Sequence, residues 1–512
     1  MIAALVPAAL VFLAARLFPI WRRRFQGCDA FNILMNARAL RRRRRLPIRM
    51  PPLFLLEEQE QWYPPGFLIL CALFPEAWLE RNYWLVNHVV DFGSAALIGG
   101  LTVALGGGPV WAAAALLAYA LAPPLVNEFS ALNARPLGLL LLNAFLVAAQ
   151  AGMADAGWMA GAVALGVAIL YSHKLSAQQL WFTMPVLALA TGDWRWLGLL
   201  AGMYAVAFAL WPHGFARIVA GHAAIVRFWH RNWPLLGAHM VRQSPVYGDG
   251  RTRTQMFRDD TLKALPGVLK EVGHQNYFVL PLALAAPVAD PWGRFLLVWA
   301  GTVYVWGFAI HLVPALRGIG LGRQYFKFAL VPSLVYVALA AGGGSAPVLA
   351  AAALAGALTV RQYLLVARLM RVQSGGQVGV RSPELDAVLE ELRRDEDAVV
   401  LCLPVHLSDL VAYATGRPVY WGTHSHVFDD RLERFFPVLR RPLSDYAADG
   451  GLTRLLLDTA FATPAELGLE PADQLAARGR YILYRMHPAG GQGRASPDPR
   501  GQPVKGQDGQ QP

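Results

Sequence analysis

Apolar residues in this chain fall into runs of spanning or near-spanning length, interrupted by tight turns on one side and long polar segments on the other. About eleven such runs emerge against the roughly 20 residues that a helix needs to cross a bilayer. They are Ile2 to Ile20, Trp84 to Leu105, Val110 to Val126, Pro136 to Ala151, Trp158 to Tyr171, Leu175 to Ala190, Trp196 to Trp211, Tyr277 to Ala289, Phe295 to Val313, Phe326 to Ala341 and Ala346 to Val360. Gly106-Gly107-Gly108-Pro109 and Asp290-Pro291-Trp292-Gly293 make short turns on one face, while Trp21 to Tyr83 and His213 to Asn276 form long segments on the opposite face. The pattern predicts a polytopic α-helical membrane region over residues 1–362, with outer loops 21–83 and 213–276. Ile2 to Ile20 lacks a basic leading segment and is followed by further spans, so it reads as a retained helix.

Residues 363–380 read as a linker, and from Arg381 the pattern changes to short strand-like runs alternating with helical ones. Val399 to Leu403, Pro418 to Trp421, Leu455 to Leu457 and Tyr481 to Tyr484 are the strand candidates, with helical runs at Leu407 to Thr415 and Leu432 to Leu439. This predicts a small C-terminal α/β domain over residues 381–487 with a mostly parallel sheet. The Gly-, Pro- and Gln-rich residues 488–512 read as a disordered tail.

Composition agrees with the pattern: 55% of the 512 residues are hydrophobic and 16% charged, and the mean hydropathy is +0.36. That is more apolar surface than a soluble fold needs, so membrane lipids are expected partners. The net charge of +12 lies between apolar runs rather than on a nucleic-acid module, which favours phosphate-bearing lipids over nucleic acid. The three cysteines, Cys28, Cys71 and Cys402, form neither a disulfide framework nor a metal-ligand spacing.

Candidate chemistry clusters at the ends of the spans. In the segment from Gly27 to Leu40, Ala30, Ile33, Leu34, Ala37 and Leu40 share one helical face, so this helix is expected on the membrane surface with its arginines toward headgroups. Asp29 opens it, as an ordinary cap or as a chemical group. Arg135, His173, Lys174, Arg317 and Arg323 fall at helix ends on the same predicted face as Asp29, where snorkelling to the interface is the alternative to convergence. Asp91 lies inside the second span, where a buried structural hydrogen bond is the expected reason for an ionisable group. Trp421-Gly422-Thr423-His424-Ser425-His426, with Asp429 and Asp430, offers two histidines without a third ligand at metal spacing, so no metal or cofactor set is assigned.

Three stretches carry a family resemblance: Asp29-Ala30-Phe31, followed by Leu46-Pro47 and by Tyr63-Pro64-Pro65-Gly66 before the second span. Together with the apolar first helix they resemble the first outer loop of GT-C glycosyltransferases, which include protein O-mannosyltransferases, aminoarabinose transferases and bacterial relatives. The resemblance implies an inverting transferase that uses a polyprenyl-phosphate sugar donor, with Asp29 as catalytic base or acceptor-orienting group. Leu132-Asn133-Ala134-Arg135-Pro136-Leu137 resembles the second outer-loop motif, departing from it by Asn133 where some members have an acid; Glu128 is the candidate replacement. The stretch from Arg317 to Tyr325, with three glycines between spans, looks like the late outer loop. Glu57, Glu58 and Glu60 precede Tyr63 and offer a second acid or a solvated charged run, and the substrate-binding candidates are Tyr63, Glu58, Asn133, Arg135, His173, Lys174, Arg317, Arg323 and Tyr325.

The chemistry is coherent with those residue types. A carboxylate takes the proton of an attacking hydroxyl, and cations stabilise the departing phosphate. The arginine-rich loops favour a cytoplasmic placement under the positive-inside rule, whereas the resemblance implies that the long loops, the site and the C-terminal domain face outward across a bacterial inner membrane. A transporter or flippase of lipid-linked saccharides, or a catalytically silent membrane assembly subunit, is the competing class. Internal repeats would favour the flippase, and the sequence shows none.

Overall fold

The computed structural model describes residues 2–21, 28–232, 265–286, 290–372, 381–422, 430–436 and 439–487, with the backbone alone at 2–4, 28, 317, 372 and 449. The predicted tail 488–512 lies outside these residues.

The first membrane helix, α1 (Ile2–Leu17), precedes an amphipathic helix, α2 (Cys28–Arg43). A two-stranded antiparallel ribbon, β1 (Ile48–Arg49) and β2 (Glu60–Gln61), and a short helix α3 (Gly66–Ala72) complete the first outer segment. The membrane bundle continues through α4 (Glu76–Ala104), α5 (Gly108–Ala120), α6 (Pro123–Phe129), α7 (Arg135–Ala154), α8 (Met159–Leu170), α9 (Lys174–Thr191) and α10 (Arg195–Leu210). α4 starts eight residues before the predicted span and has non-helical dihedrals at Asn82.

The second outer segment is more helical than its polar sequence suggested. It contains α11 (Pro212–Asn232) and α12 (Leu265–Gln275). On α11 the residues Phe215, Ile218, Ile225, Phe228 and Trp229 are buried at helical spacing while Arg217 and Arg231 stay outside, an amphipathic pattern suited to an interface.

The run Tyr277 to Ala289 holds only α13 (Val279–Leu284), too short to cross a bilayer, within the residues described. It is a correction to the sequence expectation: Asn276 breaks the chain between α12 and α13, accepting from Phe278 N at 3.0 Å and donating to Tyr304 at 2.7 Å. The last membrane helices are α14 (Pro291–Leu312), α15 (Leu330–Gly342) and α16 (Ala346–Val372). Asp290 caps α14 through bonds of 2.8 and 3.0 Å from Trp292 N and Gly293 N. α16 extends ten residues into the predicted linker, because Tyr363, Ala367 and Met370 repeat at helical spacing and bury against Ala15 and Ile20.

Among the described residues, five helical stretches are long and apolar enough to span, and α5 with α6 makes a sixth bent by 55°. Leu5–Ile20, Ala156–Leu170 and Arg195–Leu210 are shorter apolar helices. Within the bundle, Arg16 on α1 meets Asp91 on α4 at 2.7 Å with both side chains fully buried. Tyr119 donates to the other Asp91 oxygen at 2.6 Å, and Arg16 also donates to Ala120 O at 2.6 Å. Asp91 is thus the structural partner expected of an ionisable group inside a span.

The C-terminal part begins with α17 (Pro383–Arg394), whose ends follow helix electrostatics. Ser382 caps it, Glu384 and Asp386 occupy its first turn, and Arg393 and Arg394 its last. Then come β3 (Val400–Leu403), α18 (Ser408–Thr415), α19 (Asp430–Glu433), α20 (Leu443–Gly450), β4 (Arg454–Asp458), β5 (Gln474–Arg478) and β6 (Tyr481–Arg485). The strand order is β3-β4-β6-β5, with β3 and β4 parallel and both pairings of β6 antiparallel. The sheet is therefore mixed, correcting the mostly parallel expectation. β5 escaped notice because only Ala476 among its residues is buried, and Gly479, at φ 56°, makes the two-residue turn into β6.

The loop between α2 and α3 joins this sheet. Val419 bridges Val400 in parallel, and Phe54 bridges Val419 in parallel on the far side. Val419 N donates to Leu53 O at 2.7 Å and Leu55 N donates to Val419 O at 3.0 Å. The first outer segment and the C-terminal sheet consequently lie on one side of the bundle.

Candidate active site at the outer ends of the membrane helices

α2 forms the roof. Its predicted apolar face, Ala30, Ile33, Leu34, Ala37 and Leu40, is buried, but so are Phe31, Asn32, Met35 and Asn36. The additional cover comes from α18: the rings of Phe31 and Tyr413 are 5.6 Å apart, and Arg38 lies 5.0 Å over the Tyr413 ring. The expectation that these arginines face headgroups is corrected for Arg38, which pairs with Glu76, and for Arg41, which donates to the carbonyls of Ala72 and Phe74. Arg42 to Arg45 are exposed. Helix α2 starts at Cys28, so Asp29 stands inside the first turn rather than at the cap, a favourable place for a carboxylate.

The Tyr63-Pro64-Pro65-Gly66 stretch is seated by its glycine. Gly66 N donates to Tyr171 O at 2.6 Å, and a Cβ there would overlap the Ser172 hydroxyl and lie 2.8 Å from the Tyr171 carbonyl. This close approach sets the first loop against the α8–α9 turn, and Asp29, Tyr63, Arg135 and Lys174 come within electrostatic reach of one another. Asp29 Oδ2 is 3.9 Å from the Arg135 guanidinium. Burial, assisted by the negative charge of Asp29, pushes the Tyr63 phenol up to about 12, so it remains a protonated donor.

Asn133 and His173 position these groups. Asn133 donates to Glu128 O at 2.6 Å and Ala131 O at 2.9 Å, and accepts from Arg135 N at 3.0 Å. Its amide thus holds the start of α7, a positioning role that an acid at this place would not fill with the same donors. His173 caps α9, its Nδ1 accepting from Ser176 N at 3.4 Å and meeting Ser176 Oγ at 2.9 Å. Gly138 leaves room for the ring, which a Cβ would overlap. Burial, then the charges of Lys327, Arg135 and Lys174, hold His173 well below the usual histidine range, so its imidazole is neutral.

A second acid and base stand beside the first. Glu128 on α6 pairs with Lys327, whose side chain is 1% exposed. Arg135 and Arg323 both act on Glu128. Lys327 was missed in the sequence although a lysine inside the apolar run Phe326 to Ala341 was itself a signal. The assembly holds Asp29 and Glu128 against Arg135, Lys174, Arg323 and Lys327, two carboxylates to four cations.

Other candidates lie elsewhere or do other work. Glu58, 52% exposed, pairs with Arg217 on α11 and accepts from Trp62 Nε1 at 3.2 Å, so its carboxylate ties the loop to α11. Tyr325 is fully buried and donates to Gln178 Oε1 at 2.7 Å. The Arg317 side chain, His424, His426 and Asp429 lie outside the described residues. Among the described residues no three His, Cys, Asp or Glu side chains form a metal-ligand group.

The multi-helix membrane bundle, with its amphipathic loop helix and C-terminal sheet packed at one end, has the GT-C fold, as its likeness to solved structures shows. The particular likenesses are to solved structures. The oligosaccharyltransferase of Archaeoglobus fulgidus in the apo form superposes with a TM-score of 0.59 at 14% identity, covering 89% of this chain and 69% of that one. The archaeal oligosaccharyltransferase AglB from Archaeoglobus fulgidus, in complex with an inhibitory peptide and a dolichol-phosphate, gives 0.57 at 13% identity over 89% of this chain and 69% of that one. ArnT from Cupriavidus metallidurans bound to undecaprenyl phosphate gives 0.55 at 13% identity over 95% of this chain and 98% of that one. No protein-family profile matches the sequence, and no curated protein matches it.

Proposed function

We propose that this chain is an inverting glycosyltransferase that moves a sugar from a polyprenyl-phosphate donor to a hydroxyl of an extracytoplasmic lipid, glycan or protein. The observation that carries the reading is the approach of Asp29 to Arg135 within a cluster whose cations outnumber its carboxylates. Such an excess suits a phosphate, and a carboxylate at its edge suits a proton acceptor. The likeness of fold to proteins solved with dolichol-phosphate and with undecaprenyl phosphate supports a lipid-linked donor.

In this mechanism the acceptor oxygen attacks the anomeric carbon and its proton passes to Asp29, while the bond from that carbon to the phosphate oxygen breaks. The oxygen keeps the bonding electrons and leaves on the polyprenyl phosphate. Arg135 orients the Asp29 carboxylate, and Arg135, Arg323, Lys174 and Lys327 stabilise the charge growing on the leaving group. The neutral Tyr63 phenol stands in the cluster as a hydrogen-bond donor. In this reading the loops and the C-terminal sheet lie on the outer face of a bacterial inner membrane. Purified protein in liposomes, supplied with polyprenyl-phosphate sugars and a cell-envelope acceptor fraction, tests the reading. Acceptor-dependent release of polyprenyl phosphate supports it, and its absence with every donor opposes it.

A further inference from the structure

Arginines at the far end of the roof helix have no acid to meet. Arg42 to Arg45 are all exposed, and among the described residues their side chains make no ion pair or hydrogen bond. The carboxylates on the adjoining helix are already engaged: Glu76 pairs with Arg38 and lies 3.9 Å from Arg41, and Glu80 lies 3.9 Å from Arg38. Basic residues in a last helical turn complement the helix dipole, which accounts for Arg41 to Arg43. It does not account for Arg44 and Arg45, which follow the helix. Arg44 also stands where glycine is the usual residue. Its N–H donates to Leu40 O at 2.7 Å and closes α2 at a φ of 51°, a left-handed conformation that glycine adopts freely and a side chain resists. A guanidinium is thus held there at a conformational cost.

The patch borders the point where the chain enters the bundle. Arg41 ties the end of α2 to the carbonyls of Ala72 and Phe74, at the corner between α3 and α4. On that corner Leu73 is 74% exposed and Ile69, one turn earlier, is 42% exposed, while the Phe74 ring stacks on Trp78 at 4.8 Å. α4 begins at Glu76, about 12 Å of helix ahead of Trp84, where its apolar run starts. The corner therefore stands beside the headgroup layer rather than among acyl chains. Exposed apolar side chains next to unpaired cations at that depth match the two parts of a phospholipid surface.

We propose that Arg42 to Arg45, with Ile69 and Leu73, form a docking surface for anionic phospholipid. Charge selects the occupant: guanidinium groups with no facing carboxylate favour a head that is negative throughout, such as phosphatidylglycerol, over phosphatidylcholine, whose ammonium they repel. A guanidinium fork also takes two phosphate oxygens at once. The surface belongs to the helix that carries Asp29 in its first turn, and it operates whether or not the chain transfers a sugar.

Native mass spectrometry of the full chain, equilibrated in detergent with equal amounts of phosphatidylglycerol and phosphatidylcholine of one acyl length, reads the ratio of the lipids retained. The parent is expected to prefer phosphatidylglycerol at least about tenfold at low salt, and less as salt screens the charges. Arg42→Gln, Arg43→Gln and Arg45→Gln combined with Arg44→Gly are expected to lower the ratio at least about tenfold. Arg44→Gly alone is expected to lower it about fivefold, the loss of one charge at a lipid surface. That variant should unfold at or above the parent's temperature, because glycine relieves the backbone at this position. Arg393→Gln, Arg394→Gln, Arg478→Gln and Arg485→Gln together remove exposed charges from the C-terminal part and should leave the ratio unchanged. A parent without preference, a combined variant that keeps the parent's preference, or equal loss in the C-terminal variant overturns the docking surface. Arg44→Gly that unfolds below the parent and keeps its ratio also overturns it.

Discussion

The carboxylate of Asp29, in the first turn of α2, faces the guanidinium of Arg135, at the first residue of α7, across 3.9 Å. The two residues are joined by no local segment. They meet because Gly66 lets the first loop settle on the α8–α9 turn and because Asn133 holds the backbone of Arg135.

Arg135→Lys and Arg323→Lys test the cation half of the cluster. A guanidinium offers a planar pair of donors to phosphate, while an ammonium offers a point charge. If these arginines stabilise the leaving group, turnover falls more than donor affinity, by about 2–4 kcal/mol in activation free energy for a well-placed donor. Steady-state kinetics beside direct donor binding separate this outcome from simple anchoring to lipid headgroups, which would leave turnover near the parent value.

The Arg16–Asp91 pair is fully buried and joins α1 to α4. Asp91→Asn keeps the acceptor for Tyr119 but leaves the Arg16 charge uncompensated, at an expected cost of about 3–5 kcal/mol in stability. Replacing both members, Arg16→Met with Asp91→Leu, should recover most of it. Thermal unfolding in detergent checks both outcomes, and a single variant as stable as the parent would show the pair to be dispensable.

Much of the membrane region was legible because apolar runs and helical spacing are local signals. Ala30, Ile33, Leu34, Ala37 and Leu40 could be placed on one face by period alone, and Asp91 could be recognised as needing a partner. What covers the other side of α2 was not legible, since Tyr413 reaches it through a contact nearly 400 residues distant in sequence. The same limit hid the bridge from Phe54 to Val419. Lys327 was concealed by its apolar neighbours, and the pairing of Glu58 with Arg217 was not legible because α11 lies inside a segment that read as loop.

His173 gives the chain a pH dependence of known sign. Its folded-state value is held well below the ordinary histidine value of about 6.5. The unfolded chain therefore binds a proton first as pH falls. The stability contribution is fully present above about pH 6.5 and declines below it, by at most about 1.4 kcal/mol per pH unit for this one group. His173→Asn retains a capping side chain and should reduce that slope between pH 6.5 and 5. Unfolding midpoints measured across this window check the expectation, and an unchanged slope would contradict it.

The most direct measurement compares the parent and Asp29→Asn in liposomes, following transfer of the sugar from a polyprenyl-phosphate donor that the parent accepts. The substitution keeps the size of the side chain but removes its ability to accept a proton. Turnover should fall about 10²–10⁴-fold, with unfolding temperature and polyprenyl-phosphate binding close to those of the parent. Turnover in purified Asp29→Asn equal to the parent's would contradict the assignment of Asp29 as the base.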